Sequence, residues 1–380
     1  MTRRGFSLLL TALTALLCAL STGSRIYYLV SICFALALGY GLVCVLLLRH
    51  TLQASTRLNV QSVHRGESAC LTLTVFNRCP LPVCPARVTL DMADVSAARQ
   101  LPLKPLKESV LRMELPASHV GAYLCRASLL EVSDLFGLFR CKITPEESHL
   151  LLSLPKPFDV EDIVFAPGDT GKAALSRTQE DYTSPEDVRA YIPGDAMKRI
   201  HWKLSSRKKE LLVRRYETPA PPDTLILVDQ RAPVGSDRES CLSLRDAVCE
   251  TAVAVAHMQL RDQSPVRAPF YGPHANEFAS DNAQNLPLLQ EMLALQPFDS
   301  PQDFARTLHL ELRRMGRTGA AIIITTYLDA PVVDAISQMR RMGPNIRVYL
   351  VTFDPEQESL QRLVGQLQHH LVEVCYVTPA

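Results

Sequence analysis

The sequence predicts an N-terminal transmembrane helical hairpin, a β-sandwich domain and an α/β domain built on a parallel sheet. Three observations support this order: two uncharged apolar runs near the N-terminus, short alternating strands after them, and strand–helix alternation towards the C-terminus. The predicted domain boundaries are 1–50 for two transmembrane helices, 51–157 for the β-sandwich, 158–222 for a linker carrying a basic segment, and 223–380 for the α/β domain.

The apolar runs cover residues 6–20 and 26–48, and the second is long enough to cross a bilayer, which takes about 20 residues. A cleaved signal peptide is the rival interpretation of the first run, because Arg3 and Arg4 precede it. A buried hairpin of a soluble core is less favoured, because the second run is uncharged all round rather than along one stripe. Since the two runs follow each other almost directly, the sequence favours the hairpin.

The distribution of basic residues predicts the orientation of this hairpin. Arg3 and Arg4 precede the first run, Arg49 and Arg57 follow the second, and only Arg25 lies between the runs. Loops rich in Lys and Arg stay on the cytoplasmic side. Both ends of the chain are therefore expected in the cytoplasm.

The region after the hairpin has the period-two alternation of half-buried strands, with turn residues between short runs. Several short strands separated by turns are typical of a β-sandwich. The predicted strands are 58–60, 71–76, 87–90, 110–115, 123–132 and 150–154.

From residue 224 onward, near-continuous apolar strands alternate with helical patterns, which predicts a parallel sheet covered on both faces. The predicted strands are 224–228, 266–271, 320–326, 347–353 and 372–377. The predicted helices are 242–260, 286–295, 303–315, 332–342 and 358–370.

Residues 189–217 form a basic segment with nine Lys or Arg and three Asp or Glu, a net charge of 9 − 3 = +6 in a chain of net charge +1. The segment holds Trp202, the only tryptophan. A large ring beside Ile200 and Leu204 is expected to be buried, whereas Lys208 and Lys209 are expected to be exposed. Two interpretations stay open at equal weight: a braced connector with a solvated basic face, and a dedicated binding surface.

This segment resembles the signature of the DUF58 family of bacterial proteins, which combines Arg-x-Tyr, Gly-Asp and a basic Ile-x-Trp-Lys stretch. The matching residues are Arg189, Tyr191, Gly194, Asp195, Arg199, Ile200, Trp202, Lys203, Ser206 and Arg207. A second similarity is the run from Asp134 through Phe136, Gly137 and Phe139, where Leu135 replaces the proline usual in the family. The resemblance implies a bacterial inner (plasma) membrane protein that crosses the membrane more than once.

The C-terminal part of the family resembles a von Willebrand factor A domain, which often binds a metal through Asp-x-Ser-x-Ser after its first strand. Here the corresponding positions are Asp229, Arg231 and Pro233, so both serines are lost and a positive charge stands where a cation would sit. Because Mg²⁺ prefers oxygen ligands in octahedral geometry, no metal and no cofactor is expected. Asp229 is expected to be a structural acid at a strand end.

No motif for catalysis is found: the sequence has neither a Gly-x-Ser-x-Gly elbow nor a phosphate-binding loop. We therefore expect a binding or assembly factor rather than an enzyme. The family resemblance implies a MoxR-type AAA ATPase and a transglutaminase-like membrane protein as partners. Two alternatives remain: an enzyme with a site assembled around Asp195 and His201, and a surface that binds anionic lipid. The near-neutral total charge argues against a nucleic-acid partner.

Overall fold

A computed structural model describes residues 1–92, 95–145, 147–158, 185–192, 197, 200–216, 223–271, 275–315 and 318–379. Only the backbone is described at 95–96, 128–129, 185–187, 189 and 214–216. The chain divides into two compact units, Met1–Leu154 and Pro155–Ala380. The first unit thus holds both apolar helices together with the β-region that follows them.

The two apolar runs form the antiparallel helices α1 (Arg3–Thr22) and α2 (Arg25–Thr51), joined through Gly23 in the left-handed conformation. Both are long and apolar enough to cross a membrane, judged by length and composition. The residues of α1 that are buried are small and seven apart: Gly5, Ala12 and Ala19. Leucines cover the outward surface. Small residues inside and large apolar residues outside are typical of helices packed in lipid.

The rest of the first unit consists of two β-sheets. Its strands are β1 (Leu52–Leu58), β2 (Ser62–His64), β3 (Ser68–Asn77), β4 (Ala86–Met92), β5 (Val95–Leu101), β6 (Glu108–Pro116), β7 (Gly121–Ser133), β8 (Arg140–Ile143) and β9 (Ser148–Leu154). One sheet has the order β1-β3-β6, and the other has the order β2-β9-β7-β4-β5, with β8 paired to β7. Five of the six predicted strands lie within β3, β4, β6, β7 and β9, whereas the predicted 58–60 only touches the end of β1.

The two sheets enclose one hydrophobic core, as in a two-layer sandwich. Alternate residues of β3 point inward, among them Leu71, Leu73 and Val75, and Val88 of β4 meets them from the other sheet. The same core includes Cys44 and Leu48 of α2, both fully buried. The end of α2 is therefore part of the β-region's core.

The second unit contains the short strands β10 (Pro185–Ala190) and β11 (Leu212–Tyr216) and a six-stranded sheet of order β14-β13-β12-β15-β16-β17. These six strands are β12 (Asp223–Val228), β13 (Val266–Phe270), β14 (Asn276–Ser280), β15 (Thr318–Thr325), β16 (Asn345–Val351) and β17 (Glu373–Val377). β14 runs antiparallel to β13. The sheet is thus mixed, and the prediction of a purely parallel sheet was wrong at this edge.

The helices of the second unit are α3 (Trp202–Lys208), α4 (Arg238–Arg261), α5 (Leu286–Leu295), α6 (Phe304–Leu312), α7 (Ala330–Arg341) and α8 (Glu358–His369). Every helix predicted from residue 242 onward is present. The chain leaves β12 towards β13 on one side, and later strands add on the other side beginning with β15. This reversal of strand order between β12 and β15 is where open α/β sheets bind ligands, beyond the carboxyl ends of the strands.

Candidate functional site: the signature segment and the strand-end cluster

The described part of the basic segment is a pair of short antiparallel strands with a helix in the chain that connects them. β10 and β11 pair antiparallel, with Arg189 opposite Val213, and the Tyr191 amide donates to the Leu211 carbonyl at 2.8 Å. Ile200 bridges to Val213, and both side chains are buried. These apolar contacts hold the start of α3 against β11.

Hydrogen bonds fix α3 at its first turn. The Nδ1 atom of His201 accepts from the Leu204 amide at 3.2 Å, so this imidazole caps the helix. The buried hydroxyl of Ser205 donates to the His201 carbonyl at 3.0 Å and accepts from the Leu212 amide at 2.9 Å. One hydroxyl thus joins α3 to β11. Ser205 therefore stabilises the position of α3 in the segment.

The outer face of α3 carries four of the signature residues. Trp202 is 60% exposed, so the expectation that its ring is buried was wrong. The burial falls instead on Ile200, because the bridge to Val213 turns Ile200 inward and leaves Trp202 as the first residue of the helix. Lys203, Ser206 and Arg207 are exposed on the same helix. We call Trp202, Lys203, Ser206 and Arg207 the signature face.

Several predicted residues of the segment cannot be placed in this geometry. Gly194, Asp195 and Arg199 lie outside the described residues, and Arg189 is described only by its backbone in β10. Lys208 and Lys209 are exposed, as predicted. The sequence also predicts a buried bracing network of Arg189, Asp195, Arg199 and Arg207. Arg207 is exposed, so this prediction is wrong for Arg207, and for the other three it stays a prediction.

A second cluster of polar groups lies at the carboxyl ends of β12 and β15. Asp229, 4% exposed, follows β12, and its carboxylate accepts from Arg231 Nε at 3.0 and 3.1 Å and from Arg231 Nη2 at 2.8 Å. The hydroxyl of Thr325 donates to the same carboxylate at 2.7 Å. Arg231 Nη1 reaches Asp329 Oδ2 at 2.8 Å, and Nη2 donates to the Tyr327 carbonyl at 3.0 Å. We call these five residues the strand-end cluster.

The guanidinium of Arg231 is the central cation of this cluster. Burial alone would lower its pKa, but the hydrogen bonds and charges of Asp229 and Asp329 outweigh burial and raise the pKa above its usual value. The guanidinium also lies 5.5 Å from the ring centre of Tyr327 and 5.8 Å from that of Phe304. A fixed positive charge therefore lies between the carboxylates of Asp229 and Asp329.

Across the described residues, no group of three or more His, Cys, Asp or Glu side chains is arranged to hold a metal ion. Pro233 is half-buried and offers no side-chain ligand. Asp329 was not among the predicted site residues. Its only sequence signal is its place directly before α7, whose second residue is Pro331; there its carboxylate accepts from the Val332 amide at 2.9 Å.

The second family motif forms a tight corner between β7 and β8 in the first unit. The buried Asp134 accepts from the amides of Phe136 at 3.1 Å and Phe139 at 2.6 Å, and Gly137 has a positive φ of 66°. We call residues 134–139 the corner. Its role in the structure is to contact the helices: a Cβ built on Gly41 of α2 would lie 3.0 Å from the Phe139 ring.

These features define a two-unit chain with an open, mixed α/β domain and a basic surface segment that displays a tryptophan. Residues 187–372 match the DUF58 family, described as a protein of unknown function. A curated relative is the uncharacterized protein YeaD of Bacillus subtilis, which is 22% identical over 303 residues, covering 76% of this chain and 73% of YeaD.

Similarities to solved structures are weak. The CARDB domain of the PF1109 protein from Pyrococcus furiosus is 15% identical, with a TM-score of 0.21 over 27% of this chain and 91% of that domain. The sporulation control protein Spo0M of Bacillus subtilis is 10% identical, with a TM-score of 0.17 over 27% of this chain and 49% of that protein. Likenesses this low carry no argument about function.

Proposed function

We propose that this protein is a membrane-anchored binding factor whose signature face docks a protein partner. The observation that carries the proposal is the 60% exposure of Trp202 on a helix held rigidly by Ser205. A rigid, exposed tryptophan flanked by basic residues is the composition typical of interface hot spots.

The charge of the segment indicates the chemistry of that partner. Residues 200–211 carry four basic residues and one acidic residue, so their net charge is 4 − 1 = +3. An acidic surface with an apolar pocket for the indole would complement this face. A MoxR-type AAA ATPase is the partner class that we propose, with a transglutaminase-like membrane protein as a further member of the assembly.

The membrane anchor in this proposal is the α1–α2 pair. Its buried small residues and outward leucines support a helical hairpin in lipid rather than a core helix pair. With the basic residues placed as they are, the proposal puts both units on the cytoplasmic side of the bacterial inner membrane. A signal sequence is the competing interpretation of α1.

The α/β domain is proposed to be a von Willebrand factor A-like fold in which Arg231 replaces the metal. The reversal of strand order at β12 and β15, with Asp229 beyond it, supports this assignment. We propose a non-catalytic role. An enzyme with a site around Asp195 and His201 is the alternative, and the capping bond to His201 Nδ1 gives that imidazole a structural role in α3.

Capture of a purified MoxR-type ATPase by the full chain in mild detergent tests the proposal. Trp202→Ala should reduce capture at least tenfold, as hot-spot residues do, and should leave folding intact because the ring is exposed. Leu288→Ala is the matched control, since Leu288 is also exposed, at 55%, on a helix of the same unit.

The same capture experiment also tests the basic residues of the segment. Lys208→Gln combined with Lys209→Gln should weaken capture most at low salt, because added salt screens exposed charges. If anionic vesicles, and not the ATPase, respond to these changes, the segment binds lipid. Equal capture by wild type, Trp202→Ala and Leu288→Ala would contradict a docking role for the signature face.

A further inference from the structure

The corner holds two apolar side chains outward from the first unit. Leu135 is 47% exposed and Phe136 is 54% exposed. The carboxylate of Asp134 accepts amide bonds from Phe136 and Phe139, and Gly137 closes the turn with positive φ. Because these bonds fix the loop shape, the two side chains cannot fold back into the core.

This corner is attached to both apolar helices. The ring of Phe136 lies edge-on to that of Tyr40 in α2, with 6.0 Å between centroids and an angle of 73°. The carbonyl of Leu138 accepts from the amide of Thr2 at 2.8 Å at the start of α1. A Cβ on Gly5 would collide with the same carbonyl oxygen. The height of the corner along the helix pair is therefore fixed.

At that height the free part of α2 is shorter than the hydrocarbon thickness of a bilayer. The part of α2 before Tyr40 begins at Arg25 and rises about 22 Å at 1.5 Å per residue, against a hydrocarbon thickness of about 30 Å. Exposed apolar side chains continue along α2 beside the β-region, and the first charged residue after Arg25 is Arg49. The exposed apolar residues past Tyr40 are Leu42, Val43, Leu46 and Leu47.

Charged groups around the corner fit lipid headgroups. Two exposed arginines lie beside the corner. A Cβ built on Gly137 would lie 4.0 Å from Arg4 Nη1, and Arg140 begins β8 directly after the corner and pairs with Glu131 at 3.6 Å. The one acidic residue of 134–140, Asp134, is buried. An apolar tip flanked by exposed arginines has the composition of a surface that enters the headgroup region of an anionic membrane.

We propose that Leu135 and Phe136 insert into the boundary between headgroups and acyl chains of the bilayer that α1 and α2 cross. The β-region is then seated on the membrane surface, with its corner beside the exposed apolar side chains of α2 that continue past Tyr40. The direct passage from α2 into β1, with no linker between Thr51 and Leu52, fits a seated domain. This inference rests on the proposed membrane anchorage.

Single-tryptophan reporters in the full chain test it. Trp202→Phe removes the only tryptophan, and Phe136→Trp, Leu13→Trp or Leu124→Trp then places one reporter each at the corner, in α1 or on β7. Leu124 is matched to Phe136 in exposure but lies about 30 Å back along β7 from Ser133. Each protein is reconstituted in phosphatidylcholine–phosphatidylglycerol vesicles whose acyl chains carry bromine at a shallow or a deep position.

We expect Leu13→Trp to be quenched by deep bromine, Phe136→Trp to be quenched most by shallow bromine with a blue-shifted emission, and Leu124→Trp to be unaffected. Quenching at Leu13 without quenching at Phe136 would overturn the seated corner and leave the anchorage standing. Absence of quenching at Leu13 would overturn the anchorage, and the corner proposal with it. Equal quenching at Phe136 and Leu124 would contradict insertion confined to the corner.

Discussion

Replacing Arg231 by methionine removes the cation of the strand-end cluster while keeping a side chain of similar length. The carboxylate of Asp229 is nearly inaccessible to water, and it keeps only the Thr325 hydroxyl and the Arg231 backbone amide as donors. Removing one partner of a buried ion pair costs about 3–5 kcal/mol, because the other charge stays buried without compensation. The second unit should therefore be strongly destabilised.

Thermal unfolding of the detergent-solubilised full chain measures this loss of stability. Hydrogen exchange of peptides from β12 and β15, detected by mass spectrometry, assigns the loss to the second unit. Since 1 kcal/mol shifts the midpoint of a domain of this size by about 2–4 °C, the midpoint should fall by about 6–20 °C. The matched control is Arg362→Met, which breaks an exposed pair with Glu358 one helical turn away. Such pairs contribute about 0.3–0.5 kcal/mol.

The double variant Asp229→Asn with Arg231→Met separates charge from packing. Without the carboxylate, no charge is left unpaired beside Thr325, so the double variant should recover about 2 kcal/mol or more of the single variant's loss. If Arg231→Met costs no more than Arg362→Met, the guanidinium is a surface group and the strand-end cluster does not stabilise the sheet edge.

Three further outcomes are expected. Gly41→Leu should destabilise the first unit by about 1–3 kcal/mol, measured by proteolysis in nanodiscs, because its Cβ meets Phe139. Gly39→Leu should not, because nothing lies within 4 Å of its Cβ. Equal effects of the two changes would contradict the packing of the corner against α2. Calorimetry of the wild type should show no saturable binding of Mg²⁺ or Ca²⁺. A saturable isotherm that disappears in Asp229→Ala would refute the assignment of Arg231 as the cation of the strand-end cluster. A green fluorescent reporter at the C-terminus should fluoresce and an alkaline phosphatase fusion after residue 50 should be inactive; active phosphatase would contradict the cytoplasmic orientation.

Local patterns in the sequence were sufficient for most elements of the fold. The apolar runs predicted α1 and α2, and strand–helix alternation predicted the order of the second unit, because these periodicities depend only on neighbouring residues. β14 was missed because its five residues, of which one is fully buried, carry no clear apolar alternation. The signature residues predicted the family, since they are contiguous along the chain.

The tertiary structure decided which side chains meet across long stretches of sequence. Arg231 and Asp329 are 98 residues apart, and only the adjacency of β12 and β15 brings their side chains together. Trp202 is exposed because Ile200 takes the place against Val213, a choice that neighbouring apolar residues do not reveal in sequence. Likewise, the apolar run of α2 predicts one continuous transmembrane helix. In the structure, Cys44 and Leu48 near its end belong to the core of the β-region, because the corner holds the helix there.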